Sequence, residues 1–160
     1  FIANRGIFKP GIRWFLKAYG AYSLNADKEG NDIEAMLWMR KLLRQDKSVV
    51  IFPESTRNPY IGMQQAVPGV ALLASKTQTP ILPVGITGTE RLGPLWRIVF
   101  PSGDLRVHIG RPFTLPETET KYTHEQLKEM MNTVMGHIAD LIPENYHGVY
   151  KSGTPSPKFH

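Results

Sequence analysis

The chain has 160 residues, with 19 Lys plus Arg against 14 Asp plus Glu, a formal charge of +5, 41% apolar residues and no cysteine. A chain of this size buries about two thirds of the surface its unfolded form exposes, so a real core is expected and wholesale disorder is excluded. The missing cysteines exclude a disulfide framework, a cysteine nucleophile and any thiolate metal site. Apolar runs such as residues 70–74 fall far short of the roughly 18–20 residues a membrane-crossing helix requires.

Taken in order, short β-like runs alternate with amphipathic helical stretches, the pattern of an α/β domain with a mostly parallel central sheet flanked by helices. The chain opens Phe1-Ile2-Ala3, with neither an initiator Met nor a signal-like segment, and so reads as the interior of a longer protein. After Pro10, residues 11–19 carry Ile12, Phe15, Leu16 and Tyr19 at helical spacing, and 21–24 is a short strand candidate. Asn31 or Asp32 can cap a helix whose apolar stripe is Ile33, Met36, Leu37, Met39, Leu42 and Leu43, with Arg40, Lys41 and Arg44 suited to its carboxyl end. Residues 48–52 read as a β-branched buried strand stopped by Pro53, and Pro68 is expected to open a helix over 69–76. Residues 81–87 read as a central strand, 105–109 alternate with period two, and 123–142 make a long amphipathic helix ended by Pro143. The domain is expected to span 1–151, its amino-terminal part missing, with a disordered tail over 152–160. The methionines at 36, 39, 130, 131 and 135 are read as core fillers.

The chemically richest segment is 49–58, where a buried strand delivers Glu54, Ser55, Thr56 and Arg57 just beyond its carboxyl end. Open α/β sheets bind ligands at that end of their strands. Arg57 offers a fork of donors suited to a phosphate monoester, and the two hydroxyls add hydrogen bonds. Glu54 can fix Arg57 or accept from a substrate hydroxyl. The plainer alternative is a polar turn closed by a Glu54–Arg57 ion pair.

Phe52-Pro53-Glu54-Ser55-Thr56-Arg57 resembles the FPEGTR block of the glycerolipid acyltransferases, and Ile81-Leu82-Pro83-Val84-Gly85-Ile86 resembles the proline-containing strand motif that follows it there. Phe1-Ile2-Ala3-Asn4 with Ile7-Phe8, Gly20-Ala21-Tyr22 with Asn31-Asp32-Ile33, the Pro68–Ala74 run, Gly88-Thr89-Glu90 and Ile109-Gly110-Arg111-Pro112-Phe113 are similar to further blocks in the same order, so the likeness covers about residues 1–150. It implies acyl transfer from a thioester to the free hydroxyl of lysophosphatidic acid or a similar glycerol phosphate acceptor. In the family a His of an NHxxxxD block serves as general base, its Asp orients it, and the FPEGTR block holds the acceptor. An alcohol is a weak nucleophile at neutral pH, so a positioned imidazole suits the task, and no covalent intermediate is required.

The sequence departs from that pattern in several places. None of His108, His124, His137, His147 and His160 has Asp five residues on, so no catalytic residue is assigned and the NHxxxxD block is expected upstream of Phe1. His124 and Glu129 have that offset, but five residues is nearly one and a half helical turns and separates their faces. His137 and Asp140 read as a surface pair or a helix-end cap. Ser55 replaces the family's Gly, adding a side chain where the backbone is expected to approach the ligand or adopt positive φ. Ala26 stands where an Arg usually reaches the phosphate, with Lys28 two residues on as a poorer substitute, and Asn4 replaces a frequent Lys.

The expected partners are acyl-CoA or acyl carrier protein as donor, a lysophospholipid acceptor and an anionic membrane surface, at the cytoplasmic face of the membrane. Lys9, Arg13 and Lys17, spaced by four, line one face of a helix through this stretch, which suits it to anionic lipid or else makes an ordinary solvated surface, and the apolar loop 92–100 around Trp96 is a second candidate contact or else a plug over the core. No nucleic-acid partner is expected, since there is no dense basic stripe with interleaved aromatics. No metal or organic cofactor is expected either, because neither a ligand constellation nor a glycine-rich phosphate loop is present. The rival reading is a non-catalytic module that binds glycerophosphate or membrane and lacks the His-Asp pair.

Overall fold

The computed structural model describes residues 2–4, 22–24, 31–55, 61–91, 104–117 and 122–151. The chain divides into two compact units, Phe1–Phe52 and Pro53–His160.

In the first unit, strand β1 (Ile2–Asn4) pairs in parallel with β2 (Tyr22–Leu24), Ile2 opposite Tyr22 and Asn4 opposite Leu24. The second strand falls within the expected 21–24, whereas 2–4 carries no period of its own and is a strand because a partner is supplied. Helix α1 (Asn31–Leu43) follows. It ends where Asp46 takes a left-handed φ of 55°, letting the Lys47 N–H return to the Leu42 carbonyl at 3.1 Å. The buried positions of α1 are Ala35 and Met39, with Met36, Leu42 and Leu43 half-buried. Ile33 and Leu37, expected in the apolar stripe, are exposed. The 11–19 helix, the 92–100 loop and the 152–160 tail lie outside the described residues, as do the side chains of Asn31 and Asp32.

Residues 48–52 form no strand, and Val50 and Phe52 are exposed. β propensity is realised only against a neighbouring strand, and among the described residues none pairs with this run.

The second unit contains helix α2 (Gly69–Thr77), strand β3 (Val84–Thr87), strand β4 (Arg106–Ile109) and helix α3 (His124–Ala139). Pro68 sits at the amino-terminal cap of α2 with φ −69°, a value its ring already imposes. At the other end Gln78 turns left-handed at φ 50°, and Thr79 N–H reaches the Ala74 carbonyl at 3.2 Å. Helix α3 starts with a capping box. Gln126 N–H donates to Thr123 Oγ1 at 3.2 Å while Thr123 N–H donates to Gln126 Oε1 at 2.8 Å, so two donors that the helix leaves unpaired are satisfied reciprocally.

β3 and β4 run antiparallel, with Val84 opposite Ile109 and Ile86 opposite Val107, and the Ile81–Phe113 bridge lengthens the ladder. The α/β class expected from the sequence is the class observed. Of the two strand pairings among the described residues, one is parallel and one antiparallel. β3 is shorter than the expected 81–87. β4 does not express its alternation as burial, all four residues being exposed.

The core lies between α2 and α3 and is rich in methionine: Met63, Met130, Met131 and Met135 pack with Ala71, Ala74, Leu115, Val134 and Ala139. Unbranched thioethers fill the irregular space left between helices and loops, the use expected of 130, 131 and 135. The fully buried Ser75 hydroxyl donates to the Pro116 carbonyl at 2.6 Å and pairs with the Tyr122 hydroxyl, tying α2 to the segment that leads into α3. Gly85 is what allows α3 and the turn after it to lie against β3. A Cβ there would stand 2.5 Å from Ile142 Cγ2 and 3.1 Å from Leu141 Cβ. Replacing Gly85 with Val is therefore expected to destabilise the protein by about 2 kcal/mol through overpacking, measured as a lower urea midpoint at unchanged slope.

Candidate functional site

Among the residues singled out in the 52–57 block, the structure describes Phe52, Pro53, Glu54 and Ser55, with Thr56 and Arg57 outside the described residues. Pro53 and Glu54 form a turn, and a second strip, 61–67, folds back on it. Val67 N–H donates to the Pro53 carbonyl at 3.0 Å. The Gln64 N–H donates to Glu54 Oε2 at 2.7 Å, a short charge-assisted bond. Both alternatives for Glu54 raised by the sequence looked toward a ligand or toward Arg57, and the structure adds a third: its carboxylate closes the loop that carries the block.

Ser55 has φ 54°, in the left-handed region, and is exposed. This is the position at which the resemblance expected glycine, and the backbone shows why. A left-handed L-residue costs about 1–2 kcal/mol from the crowding of its Cβ, a cost that glycine avoids. The turn accepts that strain with a serine in place, which leaves a hydroxyl at the mouth of the turn.

The 61–67 strip is in turn fixed from the far end of the chain. Met63 N–H donates to the Tyr146 carbonyl at 2.9 Å, Val149 N–H donates to the Met63 carbonyl at 3.1 Å, and Ala66 N–H donates to the Tyr150 hydroxyl at 3.0 Å. Two glycines permit the approach. Gly62 has φ 118°, and a Cβ on it would lie 2.9 Å from the Gly148 Cα. The same carboxyl-terminal segment reaches the Gly88-Thr89-Glu90 block, where Tyr146 donates its hydroxyl hydrogen to Glu90 Oε1 at 2.7 Å. Two of the sequence blocks are thus tied to one clamp, residues 146–150, which sequence reasoning missed. Its only advance sign was Gly148 among closely spaced aromatic residues.

The histidines of the described residues have other surroundings. The ring of His137 packs on Phe113 with centroids 4.1 Å apart, and Asp140 stands at the carboxyl-terminal cap of α3, the second of the two readings given to these residues. His147 Nε2 lies 3.0 Å from the Ile142 carbonyl, and His108 and His124 are exposed on β4 and on the first turn of α3. Glu129, five residues beyond His124, is exposed as well, and His160 lies outside the described residues. No group of three His, Asp or Glu residues converges among the described residues.

Residues 1–87 match the family model described as Acyltransferase. The chain is 29% identical over 114 residues to the chloroplastic 1-acyl-sn-glycerol-3-phosphate acyltransferase BAT2 of Brassica napus, a stretch covering 70% of this chain and 33% of that protein. It is 28% identical to the chloroplastic 1-acyl-sn-glycerol-3-phosphate acyltransferase LPAT1 of Arabidopsis thaliana, over 70% of this chain and 32% of the relative. The fold is similar to the crystal structure of the 1-acyl-sn-glycerophosphate acyltransferase PlsC of Thermotoga maritima, with a TM-score of 0.59 and 26% identity over 88% of this chain and 56% of that one. The chain thus spans about a third of the length of the curated relatives it matches.

The geometry at Ser55 makes a direct prediction. Ser55→Gly removes the left-handed penalty and is expected to raise stability by up to about 1 kcal/mol, whereas Ser55→Val, β-branched at the same φ, is expected to lower it by at least that amount. Paired denaturation curves measure both.

Proposed function

The chain belongs to the Acyltransferase family, and from that premise we propose that the protein moves a fatty acyl group from an acyl thioester to the hydroxyl of lysophosphatidic acid or a similar glycerol phosphate acceptor, in phospholipid synthesis. The observation that carries the reading is the 52–57 block. Its glycine position has the left-handed backbone a glycine would serve, and its carboxylate is built into the loop rather than left in solvent. The names of the two plant relatives and of the solved structure support the same acceptor class.

In the proposed reaction the acceptor oxygen attacks the thioester carbonyl carbon, the new C–O bond forms as the C–S bond breaks, and the hydroxyl proton passes through a general base to the departing thiolate. We assign that base to none of the five histidines, since none has the Asp spacing that the resemblance implies. The part taken by this chain is acceptor binding. Arg57 supplies a two-pronged charge for the phosphate, Ser55 and Thr56 add hydroxyl donors, and Glu54 keeps the loop in shape. A phosphate monoester is doubly charged near neutral pH, so a guanidinium fork gives both affinity and discrimination against an acceptor without phosphate.

We take the donor to be acyl-CoA or acyl carrier protein, and the working position to be the cytoplasmic face of a membrane, where lysophospholipid is presented. Among the described residues no helix is long and apolar enough to cross a membrane. The net charge of +5 favours an anionic lipid surface as partner and is indifferent to a neutral one.

Arg57→Ala is expected to weaken binding of a short-chain lysophosphatidic acid about 10- to 100-fold, the worth of a charge-assisted hydrogen-bonding pair, and to leave binding of the matching monoacylglycerol unchanged. Isothermal titration of both ligands reads the difference, and equal affinity of wild type and variant for the phosphorylated ligand would remove Arg57 from the site.

A further inference from the structure

Helix α1 carries a second feature, separate from the 52–57 block. At about 100° per residue, Ile33, Leu37, Arg40, Lys41 and Arg44 fall within an arc of about 100° on one side of the helix and its carboxyl-terminal turn. The buried Ala35 and Met39 stand on the opposite side. All five residues of the arc are exposed, Ile33 to 67% and Leu37 to 59%. No acid lies within the arc, Glu34 standing at its edge, and among the described residues no ion pair engages its three cations.

Cations in a last turn complement the helix dipole, which accounts for Arg40 and Lys41 in isolation. It does not account for two large aliphatic side chains held in water one and two turns upstream on the same line. Single exposed aliphatics are ordinary, but a row that passes from aliphatic to cationic along one face has the chemistry of a lipid-water boundary: methylenes for the acyl edge, ammonium and guanidinium for the headgroups.

We infer that this face of α1 docks on an anionic bilayer surface. The occupant is chosen by charge complementarity, three cations with no acid among them, together with the aliphatic pair, which a free phosphate would have no use for. Basic juxtamembrane residues each add about 1 kcal/mol of attraction to an anionic leaflet, so three amount to roughly 100-fold in partitioning. The inference does not rest on acyl transfer, because lipid binding is measured without turnover.

The test is sedimentation of the 160-residue chain with sucrose-loaded vesicles, either phosphatidylcholine alone or phosphatidylcholine with about 30% phosphatidylglycerol. Wild type is expected to pellet with the anionic vesicles alone and to be released as ionic strength rises. The triple variant R40Q/K41Q/R44Q should lose about 100-fold in partitioning, and I33S/L37S about tenfold or more with its salt dependence retained. K128Q/K151Q, which neutralises exposed cations of the other unit, should stay within about twofold of wild type. Circular dichroism melts confirm that each variant folds. The inference is overturned if the triple variant binds like wild type, if neutral vesicles bind equally well, if inorganic phosphate at matched ionic strength releases the protein where chloride does not, or if wild type pellets with neither vesicle and I33S/L37S instead abolishes self-association.

Discussion

The bond from the Gln64 amide to the Glu54 carboxylate is the constraint on which the candidate site depends. A charge drawn partly out of water is costly unless it is hydrogen-bonded, and a backbone amide fixed by its own strip is a partner that does not wander. Because 61–67 is itself held by Tyr146, Val149 and Tyr150, the position of Glu54 is determined by residues more than 80 positions away. The left-handed Ser55 is affordable in the same sense: strain of about 1–2 kcal/mol survives at a turn only when its surroundings leave no easier alternative.

This arrangement separates two tasks. The packed pair of α2 and α3, with its methionine-rich core and the Gly85 contact, supplies the stable body of the second unit. Residues 53–55 and 61–67 place Met63 in that body and are otherwise tethered by hydrogen bonds, which fix direction better than apolar contacts do. The proposed role of Ser55, Thr56 and Arg57 toward a phosphorylated ligand asks direction of this segment more than adhesion. The aliphatic and cationic line on α1 belongs to the first unit, and its inferred role, docking on an anionic bilayer, is a different task.

The helices were legible in the sequence because their apolar spacing is local, and α2 and α3 lie within a residue or three of where periodicity and the proline signals place them. The strands were less so. Residues 48–52 have strong β composition and no partner among the described residues, while 2–4 has little pattern and a partner in 22–24. Pairing, a long-range property, decided both. The burial of α1 was misread at Ile33 and Leu37 because hydrophobicity alone does not say which of two adjacent helix faces meets the core. At the candidate site, the positive φ at Ser55 was legible through resemblance, whereas the bond from the Gln64 amide to Glu54 was not. The clamp at 146–150 was not, since it is written in contacts across 84 residues rather than in any motif.

The central claim is that the family's FPEGTR-like block here serves an acceptor that carries phosphate. The most direct measurement is acyl transfer by the native protein containing these residues, supplied with labelled acyl thioester and, in parallel, lysophosphatidic acid or the monoacylglycerol of the same chain length. The account predicts a phosphatidic acid product from the first acceptor and at least about 100-fold less ester from the second, the discrimination expected when a charged binding group is left unmatched. Equal use of the two acceptors, or no ester from either, would contradict it.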